Sequence, residues 1–179
     1  MGLDCTIEEL LAQLAQFVAA YPTRCYFNPP ATASDIVEIE KQLNLMLPYS
    51  YRQFLLSFNG GFISLDWDST DPLWDKETAA WNSNHLLGLA ELAQAYTDMR
   101  DTWQLDHKWP GLWLYLPFCH TEGQEFLVFS PVDPIIQESQ ILDAFHELWP
   151  HEWDMLYPDF SALLRDYLEQ EGRLRLVAG

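Results

Sequence analysis

Basic residues are scarce in this sequence. Nine Lys and Arg stand against 27 Asp and Glu, so the formal net charge at pH 7 is −18. Proteins bind nucleic acids and anionic membranes through clusters of basic side chains. The charge therefore argues against both as direct partners. It serves solubility, and it also favours a basic protein as partner, because opposite charges attract over long range.

Cysteine and long apolar runs are scarce as well. Cys5, Cys25 and Cys119 are odd in number, widely spaced and outside any Cys-x-x-Cys motif, so no disulfide framework is expected. No apolar run approaches the ~18 residues that a membrane-spanning helix needs. The N-terminal segment carries acids where a secretory signal peptide carries basic residues. Together these features predict a cytoplasmic protein.

Patterns that indicate catalysis or a bound cofactor are missing too. The sequence has no Gly-x-Ser-x-Gly motif and no glycine-rich phosphate loop. Cys119 and His120 are neighbours on a predicted strand, so their side chains should point to opposite faces of the sheet. We therefore predict a protein that is not an enzyme and that carries no cofactor.

One pair of histidines resembles a zinc motif. Zinc proteases of the His-Glu-x-x-His type place two histidines four residues apart, on one face of a helix. His146 and His151 are five residues apart, and Pro150 interrupts the helical hydrogen bonds between them. We predict no metal site here, and a metal-dependent hydrolase is only a distant alternative.

What the sequence has in excess is acid, and the acids are clustered. Between Trp109 and Leu164 there are nine acids and no Lys or Arg. A second cluster, residues 66–77, contains five acids and only one lysine. Because solubility alone is usually served by interspersed charges of both signs, one face of the protein should be strongly negative.

The second acidic cluster and the residues after it also contain tryptophans. Trp67, Trp74 and Trp81 lie among turn-forming residues, so at least some of the rings should be exposed, although they could instead fold back over the core. Exposed tryptophan among acids is a common composition of protein-binding surfaces. The residues predicted to bind a partner are Asp66, Trp67, Asp68, Asp71, Trp74, Asp75, Glu122 and Glu125.

Hydrophobic periodicity predicts helices first, strands later and a helix at the end. Helices are expected over residues 6–20, from about 32 to 43, over 48–58, near 76–81, over 89–103 and after 159. Strands are expected over 62–65, 112–117 and 125–130, with a further one at 135–140. Residues 141–149 have a helical pattern. This order predicts a single α+β domain with a mixed or antiparallel sheet.

The stretch at residues 47–61, LPYSYRQFLLSFNGG, is the most informative. Its apolar side chains recur on one face of a predicted helix that starts at Pro48. The helix runs directly into Asn59-Gly60-Gly61, which adopt positive φ angles at little cost and suit a sharp turn into a strand. The residues with this architectural role are Leu47, Pro48, Tyr51, Phe54, Asn59, Gly60 and Gly61.

Residues 32–61 together resemble the N-terminal signature of the SUKH superfamily, the Smi/Knr-like domains. Members typically read T…I…E…L…LP..Y..FL…NGG, and all of these elements are present here. Weaker similarities continue through 86–92, 116–129 and 160–164. The resemblance implies no catalysis, and it implies a sheet of about six strands with N-terminal and C-terminal helices packed around it.

The resemblance also implies a function and a domain organisation. Bacterial members are often immunity proteins that neutralise toxins, frequently nucleases, whereas eukaryotic members are regulatory or scaffold modules. With the charge, this predicts an acidic immunity-type domain that binds a toxin such as a basic nuclease. An intracellular regulatory or scaffold module with another protein partner is the alternative. The domain should span 32–171, after a helix and loop at 1–31 and before a tail at 172–179, and 139–158 resembles an insertion.

Overall fold

The computed structural model describes residues 5–65, 67–71 and 75–174. Over these residues the chain forms six α-helices and one antiparallel sheet of seven strands, so the predicted α+β class is confirmed and the strand number is one higher than expected. The helices are α1 (Ile7–Ala20), α2 (Ala33–Leu43), α3 (Tyr49–Leu55), α4 (Lys76–Trp81), α5 (Leu89–Asp101) and α6 (Phe160–Glu169). The strands are β1 (Cys25–Phe27), β2 (Gly61–Ile63), β3 (His85–Leu86), β4 (Leu116–His120), β5 (Phe126–Phe129), β6 (Ile141–Ala144) and β7 (Met155–Tyr157).

Side-chain caps fix the starts of several helices. Thr6 accepts a hydrogen bond from the backbone N–H of Glu9, whose carboxylate in turn accepts from the N–H of Thr6. Thr32 and Asp35 form the same reciprocal pair before α2. Asp159 caps α6 by accepting from Ala162. Each cap satisfies N–H groups that a helix leaves without internal partners, which is why these starts could be predicted from sequence.

The stretch 47–61 forms the centre of the core. The rings of Tyr51 and Phe54 on α3 are fully buried. The Tyr51 ring contacts Phe118, Phe129 and Phe160, and the Tyr51 hydroxyl donates a hydrogen bond to a buried backbone carbonyl. Through Tyr51, helix α3 therefore packs against β4, β5 and α6.

The Asn59-Gly60-Gly61 turn holds β2 against the start of α5. Gly60 has φ +83°, and a Cβ there would lie 2.2 Å from the backbone nitrogen of Gly88. Asn59 accepts a hydrogen bond from the N–H of Leu89 through Oδ1. A side chain at Gly60 would therefore clash with backbone, and the predicted turn into the sheet is confirmed.

The sheet is a simple meander. The strands lie in sequence order from β1 to β7, and each pairs antiparallel with the next. Phe129 on β5 faces α3 and α6, and strand alternation turns Phe126 to the opposite face. A bulge between Pro117 and Cys119 on β4 sets the register that places His120 opposite Phe126.

Two predicted elements near the C-terminal half are wrong. Residues 141–149 were expected to be helical, but Ile141–Ala144 is strand β6, which pairs with both β5 and β7. A short apolar run fits either period, and here pairing on two sides buries Ile141 completely. The strand expected at 135–140 is instead a turn, in which Asp133 accepts hydrogen bonds from the N–H groups of Ile135 and Ile136.

Other differences concern the boundaries of predicted elements and strands that were not predicted. The strand expected at 112–117 begins at Leu116. Helix α5 ends at Asp101 and continues as a π-helical turn, Thr102–Asp106. Strands β1, β3 and β7 were not expected as strands, because two or three residues carry too little periodicity. The segment 139–158, which resembled an insertion, supplies β6 and β7 to the sheet.

Candidate functional site

A cleft of about 940 Å³ opens between α5, α4 and the sheet. Four strand residues form its floor, a stripe of α5 forms one wall, and α4 with the β4–β5 turn forms the other. The volume lies in the range of ordinary ligand-binding pockets. We call this feature the cleft.

The floor is one row of residues across four strands. His85 lies opposite His120, His120 opposite Phe126, and Phe126 opposite Ala144. Directly opposed residues share one face of a sheet, so this row is set by strand register. Its face is the one turned away from α3 and α6.

The α5 wall follows from helical spacing. Glu91, Gln94, Ala95, Asp98 and Thr102 recur every three or four residues and so lie on one side of the helix. The opposite side of α5 carries buried residues of the core. Gln94 Nε2 donates to Asp98 Oδ1 at 2.8 Å, which orients that carboxylate along the wall.

The other wall joins two segments that are far apart in sequence. Gln124 Nε2 donates to the carbonyl of Trp81 at 3.1 Å, and the N–H of Glu122 donates to Asn84 Oδ1 at 3.3 Å. The β4–β5 turn is therefore bonded to the segment that follows α4. These contacts bring together acids from both of the acidic segments that the sequence contains.

The cleft is lined by four acids and, among the described residues, by no Lys or Arg. The four carboxylates belong to Glu77, Glu91, Asp98 and Glu125. Lys76 is close in sequence, but its ammonium group lies over the ring of Tyr26, 4.3 Å from the centroid. The potential inside the cleft should therefore attract cations.

Four histidines also line the cleft: His85, His107, His120 and His146. Burial lowers the pKa of His85, with a smaller opposing effect from Glu91 and a further lowering by Lys76. Burial likewise lowers the pKa of His120. Both imidazoles are therefore mostly neutral at pH 7 and do not cancel the carboxylates. His146 differs, because a hydrogen bond to Glu125 raises its pKa.

Two tryptophan rings also line the cleft. Trp81 is 59% exposed, and its ring lies 4.7 Å from that of His120. Trp103 lies on the π-helical turn, where its ring contacts Trp113 and Trp153. Irregular helical turns of this kind occur often at functional sites.

The predicted partner-binding residues are only partly brought together. Glu125 lines the cleft, and Glu122 is exposed on the adjoining turn. Asp75 caps α4, whose last turn forms part of the wall. Asp68 accepts a hydrogen bond from Thr70 outside the cleft.

The tryptophan prediction is corrected in part. Trp67 is buried against Phe62, with 6% exposure, so the expectation of an exposed ring is wrong for this residue. Its ring closes a small second core over β2, which explains why an apolar ring in a turn-rich segment is not at the surface. Asp71 is half-buried. Asp66 and Trp74 lie outside the described residues.

Sequence reasoning missed several cleft residues. His120 was predicted only as a strand residue, and no functional role was predicted for His85, Glu91 or Asp98. The helical spacing of Glu91 and Asp98 was a usable signal. No comparable signal existed for the two histidines, because their juxtaposition depends on pairing between β3 and β4.

The histidines do not form a metal centre. Within residues 5–65, 67–71 and 75–174, no three His, Cys, Asp or Glu side chains come close enough together to hold a metal ion. His146 lies in a turn after β6, and His151 lies in the 3₁₀ turn Pro150–Glu152. The helix that a His-Glu-x-x-His motif requires is therefore not formed there.

The fold and the cleft define a class: an α+β domain with an acidic cleft on its surface. Residues 30–166 match the model of the SMI1 / KNR4 family (SUKH-1). The chain belongs to this family, and the resemblance seen in the sequence is confirmed. No curated protein is similar enough to count as a match. Among the described helices, none has the length and apolar character needed to cross a bilayer.

Proposed function

We propose that this chain is a non-catalytic, acidic protein-binding domain of the immunity type, which binds and neutralises a toxin. A basic nuclease is the toxin that the charge favours. One observation carries the proposal: two acidic segments converge at the cleft, and no described Lys or Arg lines it. Membership of the SMI1 / KNR4 family is compatible with this function.

The physical mechanism is occupation of a cationic surface. A nuclease holds its substrate through basic side chains that contact phosphates. Carboxylates of this domain at the positions of those phosphates would attract the same side chains and exclude the nucleic acid. Such attraction speeds association and weakens as salt rises, because mobile ions screen exposed charges.

A regulatory or scaffold module is the second candidate. The apolar half of the cleft floor, Phe126 and Ala144, favours this candidate, because it would hold a partner that lacks a large basic face. The two candidates share the binding surface and differ in what the partner does. They are separated by testing whether the partner is toxic and whether this domain suppresses the toxicity.

The experiment begins with capture of binding proteins at low salt and at about 0.5 M salt, where the screening length is only a few ångströms. Each captured protein is then expressed in cells with and without this domain. We expect a basic protein that is released by salt and whose toxicity co-expression abolishes. Loss of binding in Glu77→Gln/Glu122→Gln, with Glu38→Gln/Asp154→Asn as a control of equal charge, would assign the surface.

Two results would overturn the proposal. If no basic protein is retained at either salt concentration, the electrostatic mechanism is wrong. If a retained partner is not toxic, or remains toxic in the presence of this domain, the immunity function is wrong and the regulatory candidate is favoured.

A further inference from the structure

We infer that the cleft receives an extended basic segment of the partner, about five residues long, with one apolar side chain inserted toward the floor and Lys or Arg side chains on either side of it. The inference rests on the proposed function and specifies how the partner is recognised. Four properties of the cleft carry it: its length, its small side chains, its charge and the pairing of its strands.

The length of the cleft fits a short extended segment. The α5 wall runs from Glu91 to Thr102, which at ~1.5 Å per residue is about 17 Å. An extended chain advances ~3.3 Å per residue, so about five residues span that distance. A whole helix, about 10 Å across with its side chains, is a poorer fit between two walls that both project side chains.

Small side chains give the cleft its depth. Ala80 on α4, Ala95 on α5 and Ala144 on β6 line it, together with the ring of Phe126. Methyl groups on three sides leave an apolar space beneath the carboxylates. A Leu or aromatic side chain in that space would be removed from water, and burial of this kind is the main favourable contribution to association.

The charges around this space select a cationic segment. Glu77 lies on one wall, where Glu125 is already paired with His146, and Glu91 and Asp98 lie on the other wall. Lys or Arg residues that flank a buried apolar side chain would therefore meet a carboxylate on either side. The exposed ring of Trp81 offers one further surface for a guanidinium or ammonium group.

The floor strands limit how the segment can bind. β4 pairs with β3 and β5, and β5 pairs with β4 and β6, so the backbone groups of both strands are used within the sheet. A partner strand cannot be added at this place. Recognition must come from side chains, which makes the apolar residue and its basic neighbours the determinants of specificity.

The test measures binding of a fluorescein-labelled Lys-Arg-Leu-Arg-Lys peptide by anisotropy at low salt. Two further peptides, one with Gly in place of Leu and one with Glu and Asp in place of the basic residues, serve as ligand controls. The protein variants are Ala95→Trp, which fills the apolar space, and Glu77→Gln/Asp98→Asn, which removes one carboxylate from each wall. Glu38→Gln/Asp154→Asn is the control of equal charge.

We expect the wild type and the control variant to bind the basic leucine peptide equally, to within about twofold. Ala95→Trp should weaken binding by at least about tenfold, since it removes the space for the anchor. Glu77→Gln/Asp98→Asn should weaken it by about fivefold, as expected for two partly exposed ion pairs. The glycine peptide should bind weakly and the acidic peptide should not bind.

Three results would overturn the inference: no binding by the wild type, equal weakening by the control variant, or equal affinity for the glycine peptide. If Ala95→Trp does not fold, as judged by circular dichroism, the carboxylate variant and the glycine peptide still test the inference. These failures are distinct from failure of the proposed function. A toxin that is neutralised equally well by wild type and Ala95→Trp would leave the function intact and exclude the cleft.

Discussion

The stretch 47–61 and the cleft differ in how their side chains are held. In the stretch, Tyr51 and Phe54 are completely buried, and Gly60 lies against the backbone of Gly88. In the cleft, Trp81 is more than half exposed. The residues that carry the family signature are thus occupied with packing, whereas the cleft is lined in part by exposed side chains.

Substitutions in the two regions should have different effects. Changes in the stretch 47–61 should lower the free energy of unfolding, and changes in the cleft should alter binding with little effect on folding. The first group removes buried contacts or introduces clashes with backbone. The second group alters exposed side chains, which ordinarily contribute little to stability.

The largest expected effect is that of Gly60→Ala. The new Cβ would lie 2.2 Å from the nitrogen of Gly88, and φ is +83°, so both the clash and the backbone conformation are unfavourable. We expect the free energy of unfolding, measured by urea denaturation, to fall by about 3 kcal/mol or more.

Gly111→Ala is the matched control for that substitution. Gly111 has a similar φ of +91°, but a Cβ there meets no atom within 4 Å. Its effect should be that of the backbone conformation alone, about 1 kcal/mol. Equal losses for Gly60→Ala and Gly111→Ala would contradict the packing argument.

The next effect concerns the hydroxyl of Tyr51. Tyr51→Phe leaves the ring contacts in place but removes the donor to the buried carbonyl of Leu87. An unsatisfied buried acceptor costs about 1–3 kcal/mol, and we expect a loss of that size in chemical denaturation. Tyr49→Phe removes an exposed hydroxyl that bonds Glu8 and should change stability by less than about 0.5 kcal/mol. A larger loss of stability in Tyr49→Phe than in Tyr51→Phe would contradict this prediction.

The same division decides what could be predicted from sequence. The caps at Thr6 and Thr32 and the glycine turn are local, because each involves residues close together in the chain. The wrong assignments at 135–140 and 141–149 arose where pairing between distant segments outweighs local pattern.

The cleft is the extreme case of a non-local feature. Its floor joins His85 to Ala144 through three strand pairs, and its wall joins Trp81 to Gln124. The acidic segments and the family signature could be identified from the sequence. The register of the meander then determined which of those acids lie together, and no local pattern of residues encodes that register.

On the cleft side of the comparison, Trp81→Ala should separate binding from stability. The ring is 59% exposed and contacts the ring of His120 at a tilt, so its removal should change the free energy of unfolding by less than about 1 kcal/mol. Binding of the basic leucine peptide should weaken several-fold, because the ring is a surface for cations. Trp67→Ala, at a buried ring of the same type, should instead destabilise the fold. A stability loss at Trp81 as large as at Trp67 would show that Trp81 is structural.

The smallest expected effect is on titration of the cleft histidines. The folded-state pKa values of His85 and His120 are lowered from the ordinary 6.5 by burial. The unfolded chain therefore binds more protons below pH 6.5, so these two residues reduce stability as the pH falls from 6.5 toward their folded values. His146 has the opposite sign, because Glu125 raises its pKa. Its stabilisation is complete below pH 6.5 and is lost as the pH rises through the raised value.

Nuclear magnetic resonance titration of the imidazole protons measures these shifts one residue at a time. Glu125→Gln should return the pKa of His146 toward 6.5, because the hydrogen bond to the carboxylate is its main cause. Glu122→Gln removes an equal charge from the same turn but does not contact His146, and it should leave that pKa nearly unchanged. If both variants lower the pKa equally, the shift comes from the general negative potential. The cleft would then act on cations through its overall charge, without the contribution of individually placed carboxylates that an inserted basic segment requires.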